Sequence, residues 1–272
     1  MTTNFSFDDP HEREVCSRFL DRGYHIQNVE DTTALDTIRK LVVKAAWNHL
    51  GLDKPSDPEE FLNTVHQHVA VSDLNAFRLS VIRAVHEAPW FRAAYFNLAR
   101  QALTTLVGNE LAMQRSMGLS VQMPDDDSSL LPLHADVWDG DSPYEVVMWL
   151  PLVHCHDTKT MYILPPEQDV AAKATMSAFR DKSVEDFYQS IKSNLEWVDI
   201  HYGQVMIFSQ NLIHGNCLNV EPETRWSFNC RFKSLLSPYG PMKPLGESFE
   251  PIFIRPTTRF GMDYSHPEGF DE

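Results

Sequence analysis

The sequence predicts an α+β protein: a mainly helical first part followed by an all-β unit. Two observations carry this. Up to about residue 108 the apolar residues recur at helical spacing, and beyond it they fall into short, β-branched segments bounded by turn residues. A third observation, 43% hydrophobic residues in a 272-residue chain, supplies apolar surface for a core and excludes wholesale disorder.

The first element is a helix over about Pro10 to Arg22, followed by a short strand from Gly23 to Val29. Leu35, Ile38, Val42, Ala45 and His49 then share one helical face. Leu74, Phe77, Val81 and Val85 form a second such face, and Phe91, Tyr95, Leu98, Ala102 and Leu106 a third. Asp57 and Ser72 are the expected N-caps, with Gly51 and Gly108 as stops. After Gly108 eight strands are expected, over 117–123, 131–137, 145–153, 160–164, 197–201, 204–209, 212–218 and 225–233. Short strands with turns between them suggest a closed or sandwich-like unit. A helical insert at about 168–195 interrupts them, and the Pro- and aromatic-rich end reads as an irregular wrap. The chain is thus expected to be one domain over 1–272, with parts 1–108, 109–240 and 241–272.

Charge excludes some partners. Lys and Arg number 23 against 38 Asp and Glu, a net charge of −15, whereas a nucleic-acid groove or an anionic membrane surface needs a basic patch. The longest apolar run, 146–153, contains Pro151 and is far shorter than the roughly 20 residues that span a bilayer. The N-terminal residues show neither the basic nor the apolar region of a signal peptide. Cys16, Cys155, Cys217 and Cys230 are widely spaced and read as reduced thiols, so a cytoplasmic location is expected. The acidic excess is densest in 109–240, with 9 basic and 18 acidic residues.

The chemistry centres on His134-Ala135-Asp136 in the second expected strand. Strand alternation would turn the imidazole and the carboxylate to one side, and His214, in Leu212-Ile213-His214-Gly215, is the best third ligand. Two imidazoles and one carboxylate on one face of a metal, with three positions open, is the arrangement of non-heme Fe(II) oxygenases. Twelve His and 21 Asp predict about one His-x-Asp by chance, so the tripeptide needs context. Arg225-Trp226-Ser227 supplies it, one hairpin after His214: a guanidinium fork and a hydroxyl facing the same way can hold a carboxylate. The tripeptide is cheap alone, since Arg78-Leu79-Ser80 fits it too. Along the last strand Arg225, Ser227, Asn229 and Arg231 share one face, and Trp226, Phe228, Cys230 and Phe232 the other. Beside His214 the polar face is expected to line the site.

In this order the motifs resemble the Fe(II)/2-oxoglutarate-dependent oxygenases, especially the phytanoyl-CoA hydroxylase-like branch. The matching strings are Leu131-Pro132-Leu133-His134-Ala135-Asp136, Met148-Trp149-Leu150, Ile163-Leu164-Pro165 and Ile213-His214-Gly215. More narrowly, 142–153 with 158–165 is similar to oxygenases found sporadically in carbohydrate-biosynthesis clusters. The resemblance covers about residues 110–235. It implies a double-stranded β-helix (jelly roll, cupin-like) with helices packed on one sheet. It further implies Fe(II) on His134, Asp136 and His214, and the distal carboxylate of 2-oxoglutarate on Arg225 and Ser227. Gln122 would contact co-substrate or substrate, and Trp149 would wall the pocket. The implied reaction oxidises, most simply hydroxylates, a small polar metabolite such as a sugar-containing intermediate. It consumes O2 and 2-oxoglutarate and releases succinate and CO2. Asn229 and Arg231 would face the substrate; Trp138 and Tyr144 would meet it or pack their own loop. Two alternatives stand beside this reading: a cupin-type isomerase or hydrolase on the same ligands, and a non-catalytic jelly-roll binding module. Arg225 and Ser227 count against the first, and the complete ligand set counts against the second. No oligomeric state follows from the sequence.

The remaining polar clusters read as surface. His154-Cys155-His156 is expected to be a turn, because alternation separates it from the three ligands and no further ligand is suitably spaced. His66 and His68 are expected in solvent, Cys217 in the interior, and Asp125-Asp126-Asp127 in an exposed loop at the pocket mouth, a lid candidate.

Overall fold

Asp9 opens the first helix: its carboxylate accepts from the amides of His11 and Glu12, and Glu12 reaches back to the Asp9 amide. The computed structural model describes residue 7 and residues 9–268. Helix α1 (Pro10–Arg22) stops at Gly23, whose φ of 77° lies in the left-handed region. The chain then enters strand β1 (Tyr24–Asn28). Helices α2 (Thr32–Leu50), α3 (Pro58–Asn63), α4 (Leu74–His86), α5 (Phe91–Asn97) and α6 (Arg100–Val107) follow. Asp57 caps α3, and Gly51 and Gly108 follow the ends of α2 and α6, as expected. Ser72 caps nothing: it lies in a 3-10 turn, Val71–Asp73, that runs directly into α4.

The β unit comprises β2 (Leu111–Gln114), β3 (Gly118–Gln122), β4 (Glu145–Pro151), β5 (Tyr162–Ile163), β6 (Glu196–Trp197), β7 (Gln204–Ser209), β8 (His214–Gly215), β9 (Arg225–Ser234) and β10 (Phe249–Phe253). Helices α7 (Pro166–Thr175) and α8 (Val184–Ile191) form the insert, and α9 (Pro256–Met262) follows β10. The larger sheet runs β1-β7-β4-β9-β2-β10, with β3 also paired to β9, and the smaller runs β6-β5-β8. All their pairings are antiparallel.

Three expectations change. Residues 131–137 form no strand: His134 makes an isolated bridge to His214, and Asp136 begins a 3-10 turn, Asp136–Asp139. The C-terminal part is not irregular throughout, because β10 adds to β2 and α9 follows. His214 and Arg225 do not lie on a hairpin; β8 belongs to the smaller sheet and β9 to the larger. The chain between them crosses from one sheet to the other.

Strand β9 divides the interior. Its apolar residues face the helices: Trp226 packs edge-on against Phe77 at 5.7 Å, Phe228 against Phe91 at 5.3 Å, and Phe232 near Phe96 at 6.1 Å. The Trp226 indole donates to the Leu62 carbonyl at 2.9 Å, and the buried Tyr95 hydroxyl donates to the Met148 carbonyl at 2.6 Å. One apolar cluster therefore joins α2–α6 to β4, β7 and β9. The other face of β9 is left for the site. Trp226→Phe removes the bond to Leu62 and part of the packing on Phe77. We expect a loss of about 2–4 kcal/mol, read as a lower urea midpoint at unchanged m.

Candidate metal centre

Register places the inward residues of three strands on one surface. Opposite Arg225, Ser227 and Asn229 stand Gln122, Ser120 and Gly118 of β3. On the other side Asn229 and Arg231 pair with Trp149 and Val147 of β4. Directly opposed residues share a sheet face, so all of these side chains point toward the smaller sheet.

His134 and His214 are joined there by backbone. The amide of each donates to the carbonyl of the other, at 3.0 and 2.8 Å, and their rings lie 4.4 Å apart. The Nδ1 of His134 is 2.7 Å from the Pro132 carbonyl and that of His214 is 2.8 Å from the Leu212 carbonyl. A carbonyl only accepts, so each Nδ1 carries a proton, which leaves Nε2 as the atom that coordinates a metal once its own proton is displaced. Both Nε2 atoms face Asp136 Oδ1, at 3.4 Å from His134 and 3.8 Å from His214. One ligand atom from each of the three residues lies within 4.8 Å of the others, spacing that suits a shared metal ion. Gly215 is required beside them, since a Cβ there would stand 2.6 Å from the Tyr162 hydroxyl and 3.0 Å from the Leu131 carbonyl.

The second oxygen of Asp136 is held by Arg231, whose Nη2 donates to Oδ2 at 2.8 Å. Arg231 Nε donates to Gln210 Oε1 at 2.8 Å, and Gln210 in turn donates to Glu145 Oε2 at 3.0 Å. Asp141 lies 3.6 Å from the same guanidinium. Burial alone would raise the Asp136 carboxyl, but the His134 hydrogen bond and the Arg231 and His214 charges outweigh it and hold it well below the carboxylate range. Burial pushes His214 down to about 4, against the attraction of Asp136. At neutral pH this gives an anionic carboxylate and, at His214, a neutral imidazole, the forms that bind metals. Arg231 lines the cavity, as expected for a residue facing the substrate, and its shortest side-chain bonds are made to Asp136 and Gln210.

Arg225 is treated differently. It is only 3% exposed; Nη1 donates to the Thr160 carbonyl at 2.8 Å, Nη2 to the Ser120 hydroxyl at 2.9 Å, and Nε has no partner. It forms no ion pair with any described residue. Around it Ser227 Oγ, Gln122 Oε1 and Thr160 Oγ1 are buried and also without partners, while Gln122 Nε2 donates to the Cys217 carbonyl at 2.6 Å. Arg225 and the three ligand residues line one cavity that opens to solvent. Ser120, Asn216, Asn229 and Arg231 supply further polar wall, and Val147, Trp149, Met161 and Phe208 the apolar wall.

Other expectations change as well. Trp138 and Tyr144 do not line this cavity: the 3-10 turn carries Trp138 into a neighbouring cleft with Leu133, Phe179 and Phe187, and Tyr144 is exposed. Ser227 and Gln122 are fully buried and do not line the cavity. Asp126 is buried and holds the Ser128 amide and hydroxyl, which pins the 125–127 turn. His66 is half-buried against the Thr224 hydroxyl at 2.9 Å, and Cys217 is half-buried. Ser120, Gln210 and Asn216 were missed. Ser120 is legible as the inward neighbour of Gln122 two residues on, whereas nothing local marks Gln210.

Three solved structures are similar along nearly the whole chain. SnoK, a non-heme α-ketoglutarate-dependent carbocyclase from nogalamycin biosynthesis, matches with a TM-score of 0.52 at 16% identity, over 88% of this chain and 87% of its own. HygX from Streptomyces hygroscopicus, with nickel and 2-oxoglutarate bound, gives 0.55 at 12%, over 87% and 91%. EctD from S. alaskensis, with 2-oxoglutarate and 5-hydroxyectoine, gives 0.51 at 19%, over 89% and 84%. The fold is a jelly roll. It is the double-stranded β-helix expected for this α+β chain. Neither a protein-family model nor a curated protein matches the sequence. Among the described residues no helix is long and apolar enough to cross a membrane.

The two arginines of β9 should respond oppositely to substitution. Arg231→Met strands the buried Asp136 carboxylate and should cost about 3–5 kcal/mol of stability, and Fe(II) affinity should fall about 10- to 100-fold. Arg225→Met removes a buried cation that has no counterion and should leave the ligand-free protein as stable, or up to about 4 kcal/mol more stable. Urea unfolding of both variants, with an Fe(II) titration of the first, checks the pair.

Proposed function

We propose that this protein is an Fe(II)- and 2-oxoglutarate-dependent dioxygenase that oxidises, most simply hydroxylates, a small polar metabolite. The observation that carries the proposal is Arg225: a buried guanidinium without a carboxylate partner, ringed by partnerless polar atoms, in the cavity that holds His134, Asp136 and His214. A buried charge of this kind calls for an anion, and a small dicarboxylate spanning cavity and metal would satisfy it. An isomerase or hydrolase built on the three ligands has no use for it.

The residues fit the iron they are proposed to hold: two imidazole nitrogens and one carboxylate oxygen, with no fourth ligand grouped with them among the described residues. Iron with bound 2-oxoglutarate and O2 supplies an oxidant strong enough to break an unactivated C–H bond. The chain's own contribution is positional. Pro132 and Leu212 fix the imidazole tautomers, and Arg231 leaves Asp136 one oxygen free. Arg225, with Ser120 and the hydroxyl of Ser227 close behind, anchors the distal carboxylate. Gln122 closes the polar ring around that anchor.

Substrate would occupy the remainder of the cavity. Asn216 and Asn229 offer amide groups there against the wall of Val147, Trp149 and Phe208, a mixture suited to a hydroxylated molecule with an apolar ring face. The mixed wall favours, as part of the proposal, a sugar-containing substrate from carbohydrate biosynthesis, and the phytanoyl-CoA hydroxylase-like reading enters the proposal from the sequence resemblance alone. We extend it to a single catalytic domain that works in the cytoplasm.

Loaded with Fe(II) in air, the protein should convert 2-oxoglutarate to succinate, faster when its substrate is present. His214→Ala and Asp136→Ala should reduce succinate to background. Iron-loaded protein that leaves 2-oxoglutarate intact with a broad panel of hydroxylated metabolites would overturn the proposal.

A further inference from the structure

A second cluster of ligating side chains lies outside the cavity. Residues 153–157 and 198–202 meet at one antiparallel bridge, where Cys155 and Ile200 exchange both backbone bonds at 2.9 and 3.0 Å. Both of these side chains are fully buried. The pleat therefore sends the flanking residues to the opposite, outer face: His154 and His156 from one segment, Asp199 and His201 from the other. Register sets His154 across from His201 and His156 across from Asp199.

The side chains converge accordingly. The rings of His154 and His201 stack with centroids 3.8 Å apart and planes within 14°, and the ring of His156 lies 4.5 Å from that of His154. His154 Nε2 is 2.8 Å from Asp199 Oδ1, and His201 Nε2 is 3.8 Å from the same oxygen. One ligand atom from each of these three residues lies within 4.8 Å of the other two. Donors held about 2.0–2.1 Å from a tetrahedral zinc ion stand about 3.3–3.4 Å from one another. The two measured separations bracket that value, so small side-chain rotations would close the group around an ion. The backbone needs no rearrangement, because the bridge already fixes both segments. His156 is otherwise engaged, its Nδ1 2.8 Å from the Asp157 carboxylate.

We propose that His154, Asp199 and His201 form a surface site for a divalent metal of the zinc type, separate from the cavity, with its remaining position open to solvent. Two imidazoles and a carboxylate select a borderline cation such as Zn(II) over Mg(II) or Ca(II), which prefer all-oxygen shells. None of the cluster's residues lines the cavity of His134, Asp136 and His214, so this site stands or falls independently of the proposed oxygenase reaction. A bound ion would clamp the 153–157 turn to the 198–202 segment and stabilise the folded chain by mass action.

The test is a Zn(II) titration of the tag-free full chain against a chromophoric chelator. The wild type should take up two equivalents, His201→Ala one, His134→Ala one, and the double variant none. Asp199→Asn should lose the same equivalent as His201→Ala. His201→Ala should leave iron-dependent succinate formation unchanged, and zinc should raise the melting temperature of His134→Ala but not of the double variant. A wild type that binds a single equivalent, retained in His134→Ala and lost in His201→Ala, would still support this site while counting against the cavity ligands. Uptake in His201→Ala equal to that of the wild type, or none in His134→Ala, would overturn it.

Discussion

The inner face of β9 is the constraint on which the rest of the structure depends. Arg225, Ser227, Asn229 and Arg231 lie on a strand paired on both sides, with its opposite face sealed by aromatic rings under the helices. Polar groups so enclosed destabilise the fold unless each finds a partner. Much of the surrounding architecture supplies those partners: Gln210 from the end of β7, Asp136 from the loop after residue 130, Ser120 from β3 and the Thr160 carbonyl before β5.

The two cations on that face resolve the constraint differently, and the difference separates positioning from binding. Arg231 is neutralised within the protein, where it turns one carboxylate oxygen away and leaves the other for a metal. Arg225 has dipoles around it and no counterion, so its stabilisation is incomplete without a ligand. A site poised in this way gives up some stability of the free protein in favour of affinity for an anion. The net charge of −15 surrounds this local positive charge, an exterior that disfavours polyanions while the pocket accepts a small one.

Much of this was legible in the sequence. Strand alternation alone places Arg225, Ser227, Asn229 and Arg231 together, because β9 is long and regular with rings at every second position. His134, Asp136 and His214 were found by residue type and order, although the geometry that unites them is not the expected one. Two residues apart on a strand was the wrong reason; a backbone bridge to His214 and a 3-10 turn bring Asp136 under the rings. Short-range patterns miss partners set by tertiary contact. The pairing of Arg231 with Asp136 spans 95 residues, and the meeting of His154 with Asp199 spans 45. Trp138 was left open between substrate and its own loop for the same reason, since the direction of a turn after residue 135 is decided by what packs on it.

The most direct test of the central claim compares two 2-oxo acids as ligands of the anaerobic Fe(II) protein. 2-Oxoglutarate and 2-oxobutyrate present the same keto-acid end and differ in the distal carboxylate that Arg225 is proposed to hold. If Arg225 is the anchor, 2-oxoglutarate should bind at least about tenfold more tightly, a difference of about 1.4 kcal/mol or more, and Arg225→Met should abolish that preference. Equal affinities in the wild type, or a preference that survives in Arg225→Met, would contradict the account.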